Sequence, residues 1–273
     1  MHELDVARRA ADEAGQILRR YFSEGFSVSG KESQGLEAHN LVTEADLAAE
    51  HAIAAVIRSA FPDHSILGEE AHQGDLSAEH LWIVDPLDGT TNFAHLIPHF
   101  AVSIAYLHRG RAMCGVIYNP IREDWYDAVR GGGARRNGQR VHVSDAMDLN
   151  QVLIGIGFYY DRGAMMEATL TAIRDLFRAQ IHGVRRFGTA SLDLCQVGCG
   201  MFGAFFEYHL AAWDFAAGGL FVEEAGGQIS DCRGQELPIG PTSVLASNGK
   251  LHAAMLQRVQ PPYESLGISR RPG

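Results

Sequence analysis

The sequence predicts a mixed fold, part α+β and part α/β, in two halves without an obvious linker. Apolar residues recur at helical spacing through the first 60 or so positions, and alternating strands follow to about residue 130. From about residue 150, short apolar strands alternate with helices, the pattern of a layered α/β half. The 273 residues are read as one domain, 1–273, with halves 1–149 and 150–273. A hydrophobic content of 46% is ample for a buried core.

Ala7, Ala10, Ala11, Ala14, Ile17, Leu18, Tyr21 and Phe22 form the apolar stripe of a first amphipathic helix. A second helix is expected from Thr43 to about Ala60. Ser65-Ile66-Leu67 reads as a strand, and Ile83-Val84 as a buried one. Phe100 to Leu107 and Ala112 to Tyr118 flank a hairpin-like turn, His108-Arg109-Gly110-Arg111, and Trp125 to Val129 runs into a Gly131-Gly132-Gly133 corner. The second half is expected to run strand Val152–Ile156, helix Met165–Phe177, strand Gly183–Phe187, helix Ser191–Val197, strand Ala204–Phe206 and helix Asp214–Ala225. The tail after Gln260, with Pro261-Pro262, reads as frayed or extended.

With 23 Lys+Arg against 33 Asp+Glu, the net charge of −10 argues against general nucleic-acid binding. The start, Met1-His2-Glu3-Leu4-Asp5, lacks the basic and apolar regions of a signal peptide, and no stretch has the length of a membrane span. A cytoplasmic protein with no membrane partner is expected. Cys114, Cys195, Cys199 and Cys232 are too few and scattered for a disulfide framework and are expected as free, partly buried thiols. Cys195 and Cys199 sit four apart on an expected helix, without the second pair a metal site needs.

The most informative stretch is Trp82-Ile83-Val84-Asp85-Pro86-Leu87-Asp88-Gly89, continued by Thr90-Thr91-Asn92-Phe93. Its strand is expected to end in a turn that projects Asp85 and Asp88, stiffened by the fixed φ of Pro86. The Gly89-Thr90 amides then start a short helix, whose free N–H groups and dipole favour phosphate. Carboxylates gathered in one site repel one another unless a hard divalent cation neutralises them. Taken alone, the string also suits a polar loop with an Asp turn and a helix cap.

Three further segments offer matching chemistry, each with a plainer alternative. Thr43 and Asp46 fit a capping box, so Asp46 serves either as a cap or as a catalytic group. Gly68-Glu69-Glu70 follows a strand, which lets one glutamate enter a site while the other stays solvated. Asp214, in Ala211-Ala212-Trp213-Asp214, opens a helix rich in small residues, as an N-cap or as an acid aimed into a site with the helix dipole behind it.

Together these segments, with Gly188-Thr189-Ala190 and Phe206-Glu207, resemble the inositol monophosphatase family of Mg²⁺-dependent, lithium-inhibited sugar and polyol phosphatases, over nearly the whole chain. The resemblance implies a layered α-β-α-β-α fold with the carboxylates meeting between the halves. It implies that Glu69, Asp85, Asp88, Asp214 and the Leu87 carbonyl hold two or three Mg²⁺ ions, while Asp46 and Thr90 position the attacking water. Gly89 and Thr90 would bind phosphate. Glu207 would accept sugar or inositol hydroxyls, with Gly188, Thr189 and Ala190 against the ring and Asp88 and Asp214 at its edge.

The chemistry agrees with that assignment. Phosphate monoesters hydrolyse very slowly, and two or more metal ions can generate hydroxide, neutralise phosphate charge and stabilise the leaving alkoxide. Thr90 bonded to Asp46 can orient a water for in-line attack, so no protein nucleophile is required.

Thr91 stands where family members acting on phosphoadenosine phosphate or histidinol phosphate tend to carry a basic residue, which favours inositol monophosphate or a similar ester. Ala71 replaces a common Ser, the Glu69–Asp85 connection is short, and Gly157-Phe158-Tyr159-Tyr160 replaces small polar residues at the pocket rim. The loop Gly30 to His39 corresponds to a flexible family loop with a lysine, here Lys31. Two rival readings stand beside the main one: a same-fold phosphatase acting on fructose 1,6-bisphosphate, histidinol phosphate or phosphoadenosine phosphate, and a non-catalytic regulator of transcription antitermination. Family resemblance also implies a homodimer.

Overall fold

The structure is a computed structural model and describes residues 3–24, 28–30 and 41–260. Lys31 with most of its loop, and the tail after Gln260, lie outside them. Helices α1 (Glu3–Glu24) and α2 (Glu44–Ala60) pack side by side. Val6, Ala7, Ala10, Ala11, Ala14 and Leu18 are fully buried, as a three-and-four spacing dictates for one helix face. Between these helices, β1 (Val28–Gly30) and β2 (Leu41–Thr43) form a short antiparallel pair.

A seven-stranded sheet follows in chain order: β3 (Ser65–Gly68), β4 (His80–Asp88), β5 (Ala101–His108), β6 (Arg111–Asn119), β7 (Asp124–Val129), β8 (Gly133–Arg136) and β9 (Gln139–Arg140). Only β3 and β4 run parallel; the other neighbours are antiparallel. A five-residue helix, α3 (Thr90–Ala94), sits between β4 and β5. The second half consists of β10 (Leu153–Ile156), α4 (Ala164–Arg178), β11 (Gly183–Arg185), α5 (Ala190–Gly198), β12 (Ala204–Leu210), α6 (Ala212–Glu224), β13 (Gln228–Ser230), β14 (Thr242–Ser247) and α7 (His252–Val259). Its five strands lie in the order β11-β10-β12-β14-β13, with β10 parallel to both neighbours.

Three hydrophobic cores stack these elements into five layers. One lies between α1 and α2 and the seven-stranded sheet. A second joins the other face of that sheet to α5 and α6 and on to the five-stranded sheet, and a third packs that sheet on α4 and α7. β4 is covered on both faces, which is why it reads as a continuous apolar run. Leu81 and Ile83 point to the α5/α6 layer, and Trp82 and Val84 to α1 and α2. The small residues of α6 let it enter the middle: a Cβ on Gly115 of β6 would sit 3.0 Å from the Ala217 Cα.

Two expectations are corrected. β4 does not end in a turn at Asp85 but continues through Asp88, and β12 runs past Phe206 to Leu210. β8, β9, β13, β14 and α7 complete the architecture without having been anticipated. The four cysteines are free, with Cys114, Cys195 and Cys232 buried. Among the described residues, no helix is long and apolar enough to cross a membrane.

Candidate active site

Asp85 and Asp88 are three apart, so on a regular strand they would face opposite sides of the sheet. A bulge prevents this. Asp85 lies opposite Ser103 and Asp88 opposite Ala101, so Pro86 and Leu87 together face the single residue Val102. The extra residue flips the alternation and turns both carboxylates to one side, and the missing N–H of Pro86 is tolerated where the ladder is interrupted. Asp85 shares the parity of Ile83, toward the central helix layer, where Asp214 opens α6. One carboxylate oxygen from each of Asp85, Asp88 and Asp214 lies within 4.8 Å of the others. In the β3–β4 register Gly68 stands opposite Val84, which sets Glu69 level with Asp85.

Each acid is also held in place by the fold. Asp85 Oδ1 accepts the Leu87 N–H at 3.0 Å, and Asp214 Oδ2 accepts the Ala211 N–H at 2.7 Å. Asp88 accepts the Ser191 N–H at 2.7 Å, the Ser191 hydroxyl at 2.6 Å and the Ala190 N–H at 3.3 Å. It therefore caps α5, whose own N-cap, Thr189, makes no side-chain cap bond. Gly89 has φ +96°, and a Cβ there would lie 2.5 Å from Thr189 Oγ1. Thr90 Oγ1 donates to the Leu87 carbonyl at 3.1 Å. Asn92 ties the halves together, donating to the His99 and Phe187 carbonyls at 2.7 and 2.8 Å.

Burial pushes Asp85 well above the usual carboxylate range, and Glu69, Asp88, Asp214 and Asp46 push it further. Burial likewise raises Asp214, helped by Asp88 and Glu69. Asp88 is raised only to about 6, because the bonds from Ser191 and Ala190 oppose its burial. Hard oxygen donors that destabilise one another's charge are the set a divalent cation satisfies, so these carboxylates fit a metal ion.

A cleft of about 270 Å³ opens over the cluster. Every site residue expected from the sequence lines it except Asp46, which is buried on α2 within electrostatic reach of Asp85. Glu69 is the member of the glutamate pair that lines the cleft. Glu207 reaches it from β12, its carboxyl raised to about 8 by burial and held down somewhat by Arg186. Tyr159 and His209 pack at the rim, ring centroids 4.3 Å apart.

Residues 2–262 match the model of the inositol monophosphatase family. The chain belongs to that family.

Among its relatives is the Nus factor SuhB of Pseudomonas aeruginosa, 41% identical over 263 residues that cover 94% of this chain and 96% of that protein. The crystal structure of the extragenic suppressor protein suhB from Bartonella henselae superposes with a TM-score of 0.86 at 36% identity, covering 97% of this chain and 99% of the other. The inositol monophosphatase from Anabaena gives 0.81 at 37% identity, covering 94% and 96%.

In this family member two acids escaped the sequence reading. Glu50 is fully buried on α2, one turn after Asp46. Its carboxylate accepts the N–H groups of Glu70 (2.8 Å), Ala71 (2.8 Å) and His72 (3.0 Å), and meets His72 Nδ1 at 2.7 Å. It thus anchors the loop that carries Glu69. Its i+4 spacing from Asp46 was a usable signal. Asp193 on α5 lines the cleft with Oδ1 buried and unbonded, and burial, Asp88 and Glu207 raise it well above the usual range. Nothing in its local sequence marked it.

Proposed function

We propose that the chain is a Mg²⁺-dependent phosphomonoesterase acting on inositol monophosphate or a similar polyol or sugar phosphate. The convergence of Asp85, Asp88 and Asp214 beneath a cleft that also presents Glu207 carries this reading. Glu69, Asp85, Asp88, Asp214 and the Leu87 carbonyl would hold two or three Mg²⁺ ions. When bound, the cations supply Lewis acidity toward the phosphate oxygens and make water more acidic.

The chain's own groups supply position and proton traffic. With its O–H donating a hydrogen bond to the Leu87 carbonyl, the Thr90 oxygen is left to accept a hydrogen bond from the attacking water, and Asp46 takes part in orienting it. The Gly89 and Thr90 amides hold the phosphate in line. Glu207 accepts hydrogen bonds from the alcohol's hydroxyls, while Gly188, Thr189 and Ala190 wall the ring. No side chain needs to attack phosphorus. The protein is proposed to work in the cytoplasm as a homodimer.

Phosphate release with Mg²⁺ across inositol 1-phosphate, fructose 1,6-bisphosphate, histidinol phosphate and phosphoadenosine phosphate tests the reading. Preference for the inositol ester supports it, and full turnover in excess chelator refutes it. A second reading, a regulatory role without catalysis, is favoured by the 41% identity to the Nus factor SuhB. Its signature is no phosphate release from any of the four esters.

A further inference from the structure

At the other end of β4 from the carboxylates, Glu79, His80 and His108 come together. His80 starts β4 and lies directly opposite His108 at the end of β5, their rings stacked with centroids 5.0 Å apart. One potential ligand atom from each of the three residues lies within 4.8 Å of the others. His80 is five residues before Asp85 on the same strand, about 17 Å at the rise of an extended chain, so the two clusters are separate. We propose that Glu79, His80 and His108 form a second cation site, specific for a Zn²⁺-class transition metal, independent of the proposed phosphatase reading.

The surroundings point to a ligand set rather than to a chance grouping. His80 Nδ1 is hydrogen-bonded to the Tyr106 hydroxyl at 2.7 Å, which leaves Nε2 to coordinate and fixes the ring, as outer partners of metal-bound histidines do. His64 stacks on His80 at 4.4 Å, but its Nδ1 accepts the Trp82 indole N–H at 3.1 Å. Its other nitrogen therefore carries the proton, and His64 serves as a packing wall, not a ligand. Glu79 Oε1 accepts from Arg109, at 2.8 and 3.1 Å, and from His108 Nε2 at 3.2 Å, so a cation at this point would take the place of the proton shared by Glu79 and His108, with Oε2 also available to it.

Two imidazoles and one carboxylate suit Zn²⁺, Ni²⁺ or Cu²⁺ and not Mg²⁺ or Ca²⁺, which take oxygen donors. Tetrahedral coordination needs ligand atoms about 3.4 Å apart, so the three must close by rotations of side chains that start partly exposed. Glu79 is 54% exposed, so an ion enters without opening the fold, and water completes the set. Arg109, 74% exposed, sets a positive charge beside the site and limits its affinity.

The test titrates the full-length protein, stripped by chelator and then saturated with Mg²⁺, with Zn²⁺ by calorimetry, and repeats the titration with Co²⁺ by visible absorption. Wild type should bind one more ion than His80→Gln/His108→Gln. Tyr106→Phe, which keeps all three ligands, should weaken Zn²⁺ about tenfold. Arg109→Gln should tighten it. Any Zn²⁺ that displaces Mg²⁺ from the carboxylate cluster does so equally in wild type and variants, so their difference isolates this site. Equal stoichiometry and affinity in wild type and the double variant would overturn the proposal. If the double variant does not fold, His108→Gln alone decides, since this strand-end histidine is partly exposed.

Discussion

Glu50→Gln should destabilise the protein and weaken its cation site together, although Glu50 lies outside the cleft. The carboxylate accepts three backbone N–H groups and meets one imidazole nitrogen, all at 2.7–3.0 Å. Glutamine offers only one acceptor oxygen. If that oxygen replaces Oε1, the new NH₂ faces the Glu70 N–H donor to donor, and one buried donor loses its partner at a cost of about 1–3 kcal/mol. The remaining bonds lose their charge assistance, roughly 1 kcal/mol each before any relaxation. These add to about 4–6 kcal/mol before relaxation, and a net loss of at least about 3 kcal/mol lowers the melting midpoint of a chain of this size by roughly 6–12 °C or more. Because Glu69 precedes the anchored amides, the Mg²⁺ concentration for half-maximal phosphate release should rise about 10-fold or more. Differential scanning calorimetry with a Mg²⁺ titration reads both effects. A variant with an unchanged midpoint and unchanged Mg²⁺ dependence would refute the anchoring role.

Asp88→Asn should abolish phosphate release and also cost about 1–2 kcal/mol, because the residue caps α5; Asp214→Asn should lose activity with a smaller cost, and urea melts separate the two. Glu207→Gln carries a pH signature: a carboxyl with a folded pKa of about 8 against an ordinary 4.5 adds stability below the lower value, and that stability is lost as pH rises toward 8. The variant should therefore gain on wild type across that window, by at most a few kcal/mol in melts of metal-free protein, and should lose about one to two powers of ten in turnover of inositol phosphate relative to an aryl phosphate that cannot reach residue 207. An identical pH trend in both proteins would count against a buried carboxylate. Gly89→Ala must place a Cβ at φ +96° against Thr189 Oγ1, so a loss of at least about 1–2 kcal/mol is expected in thermal melts. Excess chelator should stop phosphate release, and Li⁺ and Ca²⁺ should inhibit it in the Mg²⁺ assay.

The long amphipathic helices and the apolar run of β4 were legible because local periodicity alone determines them. The five layers became legible only through resemblance, since Leu81 and Trp82 look alike in sequence while facing different cores. β8, Gly-Ala-Arg-Arg, carries no alternating apolar pattern, and its neighbours supply its ladder. The bulge at Pro86-Leu87 is a property of a strand pair and not of a strand, so the sequence suggested a turn there. Of the acids in the cleft, Glu69, Asp85, Asp88, Glu207 and Asp214 could be named from their motifs, and Asp193 could not. Nor could second duties be read: Asp88 caps a helix about a hundred residues away, and the burial of Asp193 comes from elements that its own helix does not reveal.

The placement of α5 and α6 between the two sheets bears on how the chain is made. A ribosome delivers the entire seven-stranded sheet before either helix exists, so the face carrying Leu81, Ile83, Ala101 and Ala105 emerges bare and waits for its cover. During that interval the nascent half exposes a broad apolar surface, the kind that invites self-association before synthesis ends. The acids of the first half can meet Asp214 and Glu207 only after the second half has been made. Partial products of synthesis therefore lack a complete cleft as well as being sticky, and the finished cleft reports that both halves have arrived and docked.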